Sequence, residues 1–198
     1  MRDAYSKFEA AGIRLYAISY DDQEVLSEFS NTQKIPYPLL SDIDSDVIRE
    51  FGILNDQIEG DLLMNGIPFP GTYVTDEDGV VVAKFFHDSY KKRDSPETLI
   101  DAALGHIQLG EDVPRATSGD AEVSVTAAVH GGKGTIRQGI LRHLVVRFEL
   151  GDGLHIYGEP VPEGMIPMRI DIEPIPGLEV EPIPVPHRDE FSDTMARS

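Results

Sequence analysis

The sequence predicts an α/β domain over residues 1–104, a linker over 105–120 and an all-β module over 121–198. Three observations support this division. Helix-type and strand-type hydrophobic patterns alternate in the first segment. Polar residues, glycine and proline interrupt the patterning in the second segment. In the third, apolar residues recur at every second position, which is typical of half-buried strands.

The first two predicted elements are a helix over residues 3–11 and a buried strand over 13–20. Apolar residues recur at helical spacing around Phe8, and Gly12 is suited to end the helix because it tolerates a left-handed conformation. The run after Gly12 is apolar and rich in β-formers, as expected of a strand that is covered on both faces.

Two helices are predicted in the next stretch. Asp21 or Asp22 is placed to cap the first, and the second covers about residues 45–51. Residues 35–38 between them contain two prolines and are predicted to be extended. The inward-facing residues are expected to be Val25, Leu26 and Phe29 in the first helix, and Val47, Ile48 and Phe51 in the second.

A β-hairpin and a final helix complete the predicted α/β domain. Strands over 72–75 and 80–86 flank the turn 76–79, whose last residue is a glycine. Ser95 and Pro96 are typical of a helix start. The buried residues of this helix are expected to be Leu99, Ile100, Ala103 and Leu104.

The third segment is predicted to be a β-sandwich. Alternation begins at Val123 and continues through residues 144–148, 154–157 and 168–172. Eight of the 14 prolines lie from position 160 to 186, a density that favours edge strands and extended connections.

Composition excludes several functions. The formal net charge is -18, so nucleic acid and anionic membranes are poor candidate partners. No run approaches the roughly 20 apolar residues of a membrane span. No apolar segment of a signal peptide follows Met1, so the chain is expected in the cytoplasm if Met1 is the true start. The chain has no cysteine, which excludes disulfides, thiolate metal sites and cysteine catalysis by its own residues.

Two resemblances refine the prediction. Residues 4–21, 35–42, 47–53 and 66–81 resemble the thioredoxin-like redoxin family, the alkyl hydroperoxide reductase/thiol-specific antioxidant group. Residues 154–164 resemble the immunoglobulin-like N-terminal domain of thiol:disulfide interchange proteins. The first resemblance implies a thioredoxin-like fold, reduction of peroxides or disulfides through a cysteine, a peroxide or protein thiol partner, and no cofactor. The second implies an immunoglobulin-like sandwich, cut short at its C-terminus.

The redoxin resemblance also implies that part of the fold is missing. In that family a strand, the cysteine loop and the start of the active-site helix would precede Met1. That strand lies at the centre of the sheet, between the strands predicted at 13–20 and 72–75. The α/β domain is therefore expected to be incomplete, with two open strand edges, a low melting point and a tendency to self-associate.

The candidate site residues also come from this resemblance. Pro70 occupies the position of the family's cis-proline, which faces the catalytic cysteine, and Gly71 and Thr72 would face the substrate with it. The peptide bond before Pro70 is therefore expected to be cis. Redoxins that act as peroxidases commonly have arginine at this position, so proline favours thiol-disulfide chemistry or a relaxed peroxidase ancestor.

Other motifs have simpler interpretations. Residues 42–46 superficially resemble a calcium loop, but the glycine and glutamate of an EF-hand are replaced by Val47 and Ile53, so helix capping is the better explanation. The six histidines show no zinc spacing and are expected at the surface or at strand edges. The glycine-rich stretch after His130 lacks phosphate-loop spacing and is predicted to be a turn, and residues 91–93 to be a solvated basic turn.

Two hypotheses for function follow. The first is a redoxin-family thiol-dependent oxidoreductase that is inactive as written because it has no cysteine, through a truncated gene model or loss of the N-terminal segment. The alternative is a non-catalytic protein-binding module built on a degenerate thioredoxin fold. An in-frame strand and cysteine loop encoded upstream of Met1 would favour the first hypothesis.

Overall fold

The computed structural model describes residues 1–57, 66–132, 135–161 and 163–181. It divides the chain into two compact units. The first comprises residues 1–118 and 125–147, and the second comprises residues 119–124 and the chain from 148 onward.

The helices described belong to the first unit. Two of them begin as the sequence predicts, because the Asp22 carboxylate accepts the N–H of Val25 at 2.9 Å and the Ser95 hydroxyl accepts the N–H of Thr98 at 3.2 Å. The helix bounds are Arg2–Ala4 for a 3₁₀ turn, Tyr5–Ala10 for α1, Gln23–Gln33 for α2, Asp46–Glu50 for α3 and Pro96–Leu104 for α4.

The strands form small separate sheets. β1 pairs in parallel with β2, β3 pairs antiparallel with β4, β5 pairs in parallel with β8, and the remaining sheet has the order β6-β7-β9. The strand bounds are Ala17–Ser19 for β1, Leu39–Ser41 for β2, Gly71–Thr75 for β3, Val81–Phe86 for β4, Arg93–Asp94 for β5, Arg115–Gly119 for β6, Val123–His130 for β7, Ile140–Leu141 for β8 and His143–Leu150 for β9.

The separation of β1 from β3 is the main feature of the α/β part. In the described chain β1 has β2 as its one strand neighbour, and β3 has β4 as its one strand neighbour. The two strands do not pair with each other, so each has one edge whose backbone groups face no strand. The expectation that a central strand belongs between β1 and β3 stays a prediction.

The core of the first unit lies where α1 and α4 meet the second hairpin strand. Phe8 of α1 is 2% exposed and packs with Leu99 and Ile100 of α4, as the helical patterns predict. Burial of these three side chains contributes about 1.5–3 kcal/mol each to folding. The partly buried residues packed around them are Ala4, Ala11, Ile13, Leu15, Phe85 and Leu104.

Burial around β1 differs from the prediction. The predicted strand 13–20 is reduced to Ala17–Ser19, and Tyr16 and Ile18 are 54% and 39% exposed. A parallel strand is normally covered on both faces, and β1 lacks the neighbour and the packing that a continuous sheet would provide. The helix residues predicted to face inward divide into two groups. Leu26 and Ile48 are buried, whereas the remaining four are exposed: Val25, Phe29, Val47 and Phe51.

The C-terminal segment contains fewer strands than the sequence predicts. β7 and β9 confirm the alternation near residues 123 and 144. The strands predicted at 154–157 and 168–172 are wrong, because no strand is present in the described part of 151–181. The two segments share one backbone hydrogen bond, from Met168 N–H to the Tyr157 carbonyl at 2.7 Å. The many prolines of this segment lack the N–H that pairing between strands needs. The immunoglobulin-like sandwich stays a prediction.

The predicted linker contains regular structure. β6 occupies Arg115–Gly119, inside the predicted linker 105–120. The Asp120 carboxylate closes the following turn by accepting the N–H groups of Glu122 and Val123 at 2.9 and 3.0 Å. The boundaries at 104 and 121 stay a prediction, and limited proteolysis tests them.

None of the helices in the described ranges has the length and apolar character that crossing a membrane requires.

Candidate functional site

The candidate site lies where the chain enters β3. Leu54 and Pro68 form an antiparallel bridge, and the N–H of Phe69 donates to the carbonyl of Ile53 at 2.7 Å. The prediction of a cis peptide bond before Pro70 is wrong. Among the described residues, the cis peptide bond is the one between Glu159 and Pro160. The bridge and these hydrogen bonds attach residues 67–69 to residues 53–55, two residues before β3 begins.

A second contact fixes the same loop from the side of α3. Ser45 is 1% exposed, and its hydroxyl donates to the carbonyl of Gly66 at 2.8 Å. Gly66 has a φ of 96°, a left-handed conformation that favours glycine. A Cβ at this position would also lie 2.5 Å from the Ser45 hydroxyl, so a side chain could not be accommodated without a shift.

An aromatic cluster covers one face of the candidate site residues. Gly71 pairs with Phe86 across the hairpin, and the Phe86 ring occupies the space that a side chain at Gly71 would need. The Tyr73 ring lies 5.2 Å from that of Phe51 and 5.1 Å from that of Phe86. Thr72 is half-buried and, by strand alternation, lies on the opposite face. The structure therefore places Pro70, Gly71 and Thr72 together, with the free backbone edge of β3 as their open side.

The carboxyl ends of β1 and β2 carry polar residues that the sequence reasoning did not single out. The Ser19 hydroxyl donates to the Asp21 carboxylate at 2.5 Å, and the Ser41 hydroxyl donates to the Asp21 carbonyl at 2.7 Å. Serine and aspartate directly after two parallel strands would have been the signal, because ligand sites of open α/β sheets lie at that edge. These groups hydrogen-bond one another, and together they hold the two strand ends in register.

The chemistry that this edge can perform with its own residues is limited. Thiol peroxidation needs a thiolate nucleophile, and the chain contains no cysteine. Within the described residues, β1 and β3 each have a second edge along which no strand pairs. Such edges bind extended polypeptide by adding a strand.

The acidic stretch 42–46 caps a helix, as predicted. The two carboxylate oxygens of Asp42 accept the N–H groups of Val47 and Ile48 at 3.2 and 2.9 Å. These bonds satisfy backbone donors at the start of α3 that have no partner within the helix.

The basic stretch 91–93 is also held in place by its own backbone. The Arg93 guanidinium donates to the carbonyls of Tyr90 and Lys92, both at 2.6 Å.

One histidine departs from the prediction of surface positions: His130 is 2% exposed at the end of β7.

A charged cluster on α4 is the largest feature that the sequence reasoning missed. The Glu97 carboxylate binds the Lys7 ammonium at 2.6 Å through one oxygen and the Arg142 guanidinium at 3.1 Å through the other. Burial acts to raise the pKa of Glu97, but the hydrogen bond from Lys7, a backbone N–H and the charges of Lys7 and Arg142 outweigh it. The net effect lowers the pKa of Glu97 from 4.5 to about 2.

Comparison with known proteins places the similarity in the same part of the chain. The model of the AhpC/TSA family matches residues 1–84. The chain is 36% identical over 107 residues to the chloroplastic peroxiredoxin Q of Suaeda salsa, covering 54% of this chain and 45% of the relative. The chloroplastic peroxiredoxin Q proteins of Arabidopsis thaliana and Sedum lineare are also 36% identical over 107 residues, with 44% and 52% of their lengths covered. The chain thus spans about half the length of these relatives.

Proposed function

We propose that this chain carries part of a thiol-dependent peroxidase domain, because the AhpC/TSA family model matches residues 1–84. The similarity to peroxiredoxin Q proteins over 107 residues carries the proposal. It favours peroxidase chemistry over the binding-module alternative, because the matching relatives are named as peroxiredoxins.

The reaction requires a group that the chain does not contain. In thiol peroxidation a thiolate attacks one peroxide oxygen, the S–O bond forms as the O–O bond breaks, and the second oxygen leaves as water or alcohol. The resulting sulfenic acid is then reduced by another thiol. Because the chain has no cysteine, we propose that it does not catalyse this reaction by itself.

The entry to β3 has a supporting role in this proposal. Pro70, Gly71 and Thr72 would face the thiol site through the open edge of β3, because the Phe86 ring covers Gly71 on one face. The rigid support of this stretch by Ser45 suits a positioning role. The chemistry itself would belong to a cysteine on a strand-and-loop segment that lies between β1 and β3.

The first experiment measures peroxide consumption by the purified chain with a thioredoxin reducing system. We expect no turnover above a heat-denatured sample. The chain has five methionines, and each consumes at most one peroxide per oxidation to the sulfoxide. Sustained consumption well beyond five equivalents would therefore contradict the proposal.

The second experiment supplies the missing chemistry. The part of the Suaeda salsa peroxiredoxin Q that precedes its similarity to this chain is fused ahead of Met1, since the proposal assigns the reacting cysteine to that part. We expect the fusion to reduce peroxide catalytically, and the same fusion with its cysteines changed to serine to be inactive. A folded fusion without activity would mean that this chain is not the remainder of a peroxidase domain.

A further inference from the structure

Part of the C-terminal segment belongs structurally to the redoxin unit. Residues 125–132 and 135–147, here termed the α4 strap, fall within the same compact unit as residues 1–118. The strap comprises most of β7, all of β8 and the start of β9. It is attached to the preceding chain by the parallel pairing of β8 with β5, in which Arg93 is opposite Ile140 and Asp94 is opposite Leu141.

The strap contacts α4 at two pairs of polar side chains. Arg142 donates to Glu97 at 3.1 Å, and both side chains are largely buried, at 11% and 13% exposure. One turn further along α4, Asp101 lies 2.7 Å from the Nε2 atom of His130, and these side chains are 9% and 3% exposed. Positions 97 and 101 are four residues apart, so both pairs lie on the same side of the helix.

The backbone of the strap is shaped to allow this approach. Gly131 and Gly132 follow His130 with φ values of 82° and 62°, a conformation that disfavours side chains. A Cβ at Gly131 would lie 2.5 Å from the Glu97 carboxylate, and a Cβ at Gly132 would lie 2.5 Å from the Arg142 guanidinium. The positive φ values and these close approaches both favour glycine at positions 131 and 132, where the chain passes over the ion pair.

The contact extends beyond α4 to the first helix. Glu97 binds Arg142 through one carboxylate oxygen and Lys7 of α1 through the other. Leu99 and Ile100 of α4 also pack against Phe8 of α1. α1 is thus held by the apolar core and by a charged chain that runs from Lys7 through Glu97 to Arg142.

We propose that the α4 strap is an intramolecular clamp that fixes the position of α1 through Glu97. Arg142 holds the Glu97 carboxylate in the geometry that binds Lys7, so loosening the strap loosens α1. The inference stands on these contacts and not on the proposed peroxidase function. It also divides the chain differently from the sequence pattern, since residues 125–147 then stabilise the domain that precedes them.

Hydrogen exchange of the full-length chain tests the clamp. The backbone amides of α1 are followed in the unaltered chain and in the Arg142→Gln variant. We expect exchange of α1 to become about 5 to 30 times faster, the range that corresponds to loss of 1–2 kcal/mol of local stability. Arg147→Gln is the matched control, because Arg147 is an exposed arginine of β9, and it should leave α1 exchange within about twofold.

Two further variants separate a clamp from a general loss of stability. In the Lys7→Gln chain the charged connection is already broken, so adding Arg142→Gln should accelerate α1 exchange less than it does in the unaltered chain. Arg142→Lys retains the charge and keeps the chain folded if the glutamine variant does not fold. It should give an intermediate acceleration, because lysine cannot reproduce the guanidinium geometry.

The proposal is overturned if Lys7→Gln accelerates α1 exchange and neither change at Arg142 does. It is also overturned if the effects of Lys7→Gln and Arg142→Gln multiply as independent events.

Discussion

Glu97 should make the stability of the first unit depend on pH in a window set by its lowered pKa. The perturbation is Glu97→Gln, which removes the charge and keeps the size of the side chain. The pKa of Glu97 is lowered from its ordinary value of 4.5 to about 2 in the folded chain. A pKa difference of about 2.5 units sets an upper limit of about 3 kcal/mol on the stabilisation that the charged Glu97 contributes to the fold, because one pKa unit corresponds to about 1.4 kcal/mol.

Solvent reduces this limit. The Lys7 side chain is 51% exposed, whereas those of Glu97 and Arg142 are 13% and 11% exposed. Water screens the half-exposed pair, so we expect about 1–2 kcal/mol of stabilisation at pH 7. A group whose pKa is lowered in the fold stabilises it above its unfolded pKa and loses that contribution as pH falls. The contribution of Glu97 should therefore decline from about pH 4.5 towards pH 2.

The assay is urea unfolding of the unaltered chain and of the Glu97→Gln variant at pH 7, 6 and 3. These values avoid the isoelectric point near 4.5, where the chain is least soluble. Sucrose, added equally to both proteins, maintains a folded baseline at pH 3. Glu77→Gln in the exposed hairpin turn is the matched control and should change stability by less than about 0.5 kcal/mol. A gap between the two proteins that stays constant or widens from pH 7 to pH 3 would refute the reasoning.

Three further expectations concern the open edges, a helix cap and the domain boundary. Ile18→Lys on β1 should reduce self-association in sedimentation experiments, because a lysine on an edge strand opposes strand pairing. Ile43→Lys in an exposed loop is the control and should leave self-association unchanged. Equal effects of the two changes would mean that the strand edge is not the cause. Asp42→Ala should lower the free energy of unfolding by about 1–2 kcal/mol in urea titrations, because the α3 cap is lost. Asp44→Ala is the control and should leave the free energy of unfolding nearly unchanged. Equal losses in the two variants would contradict the capping role of Asp42. Limited proteolysis followed by mass spectrometry should cut first between residues 110 and 120, and first cuts within 70–90 would contradict the predicted linker.

Local signals in the sequence predicted the helices and the hairpin well. The caps of α2 and α4 depend on residues within three positions of the helix start, so Asp22 and Ser95 could be recognised directly. The turn 76–79 behaves likewise, since the Asp76 carboxylate accepts the N–H groups of Asp78 and Val80, and Gly79 has a φ of 82°. Such interactions are complete within a few residues and need no information about the rest of the fold.

Burial and long-range charge could not be predicted in the same way. Phe29 and Phe51 have helical spacing that indicates an inward face, yet they are 52% and 50% exposed, because apolar patterning does not report whether a neighbouring element is present. The ion pair between Glu97 and Arg142 joins residues 45 positions apart, and nothing in either local sequence identifies the partner. The entry to β3 was located by resemblance, but the bond before Pro70 was predicted wrongly, because that prediction rested on the resemblance alone and on no local signal in the sequence.

The aromatic cluster of Phe51, Tyr73 and Phe86 gives the β3–β4 hairpin an optical signature. The chain has no tryptophan, so its ultraviolet emission comes from seven tyrosines without a stronger emitter to mask them. Tyr73 is the tyrosine whose ring lies within 5.2 Å of two phenylalanine rings and beneath the Lys84 ammonium, an asymmetric surrounding that induces circular dichroism near 280 nm only while the rings stay packed. The packed rings of Tyr5 and Tyr37 contribute to the same band. The part of the band that Tyr73→Phe removes therefore reports on this hairpin, and comparing that part with the far-ultraviolet helix signal distinguishes melting of the hairpin from melting of the helices.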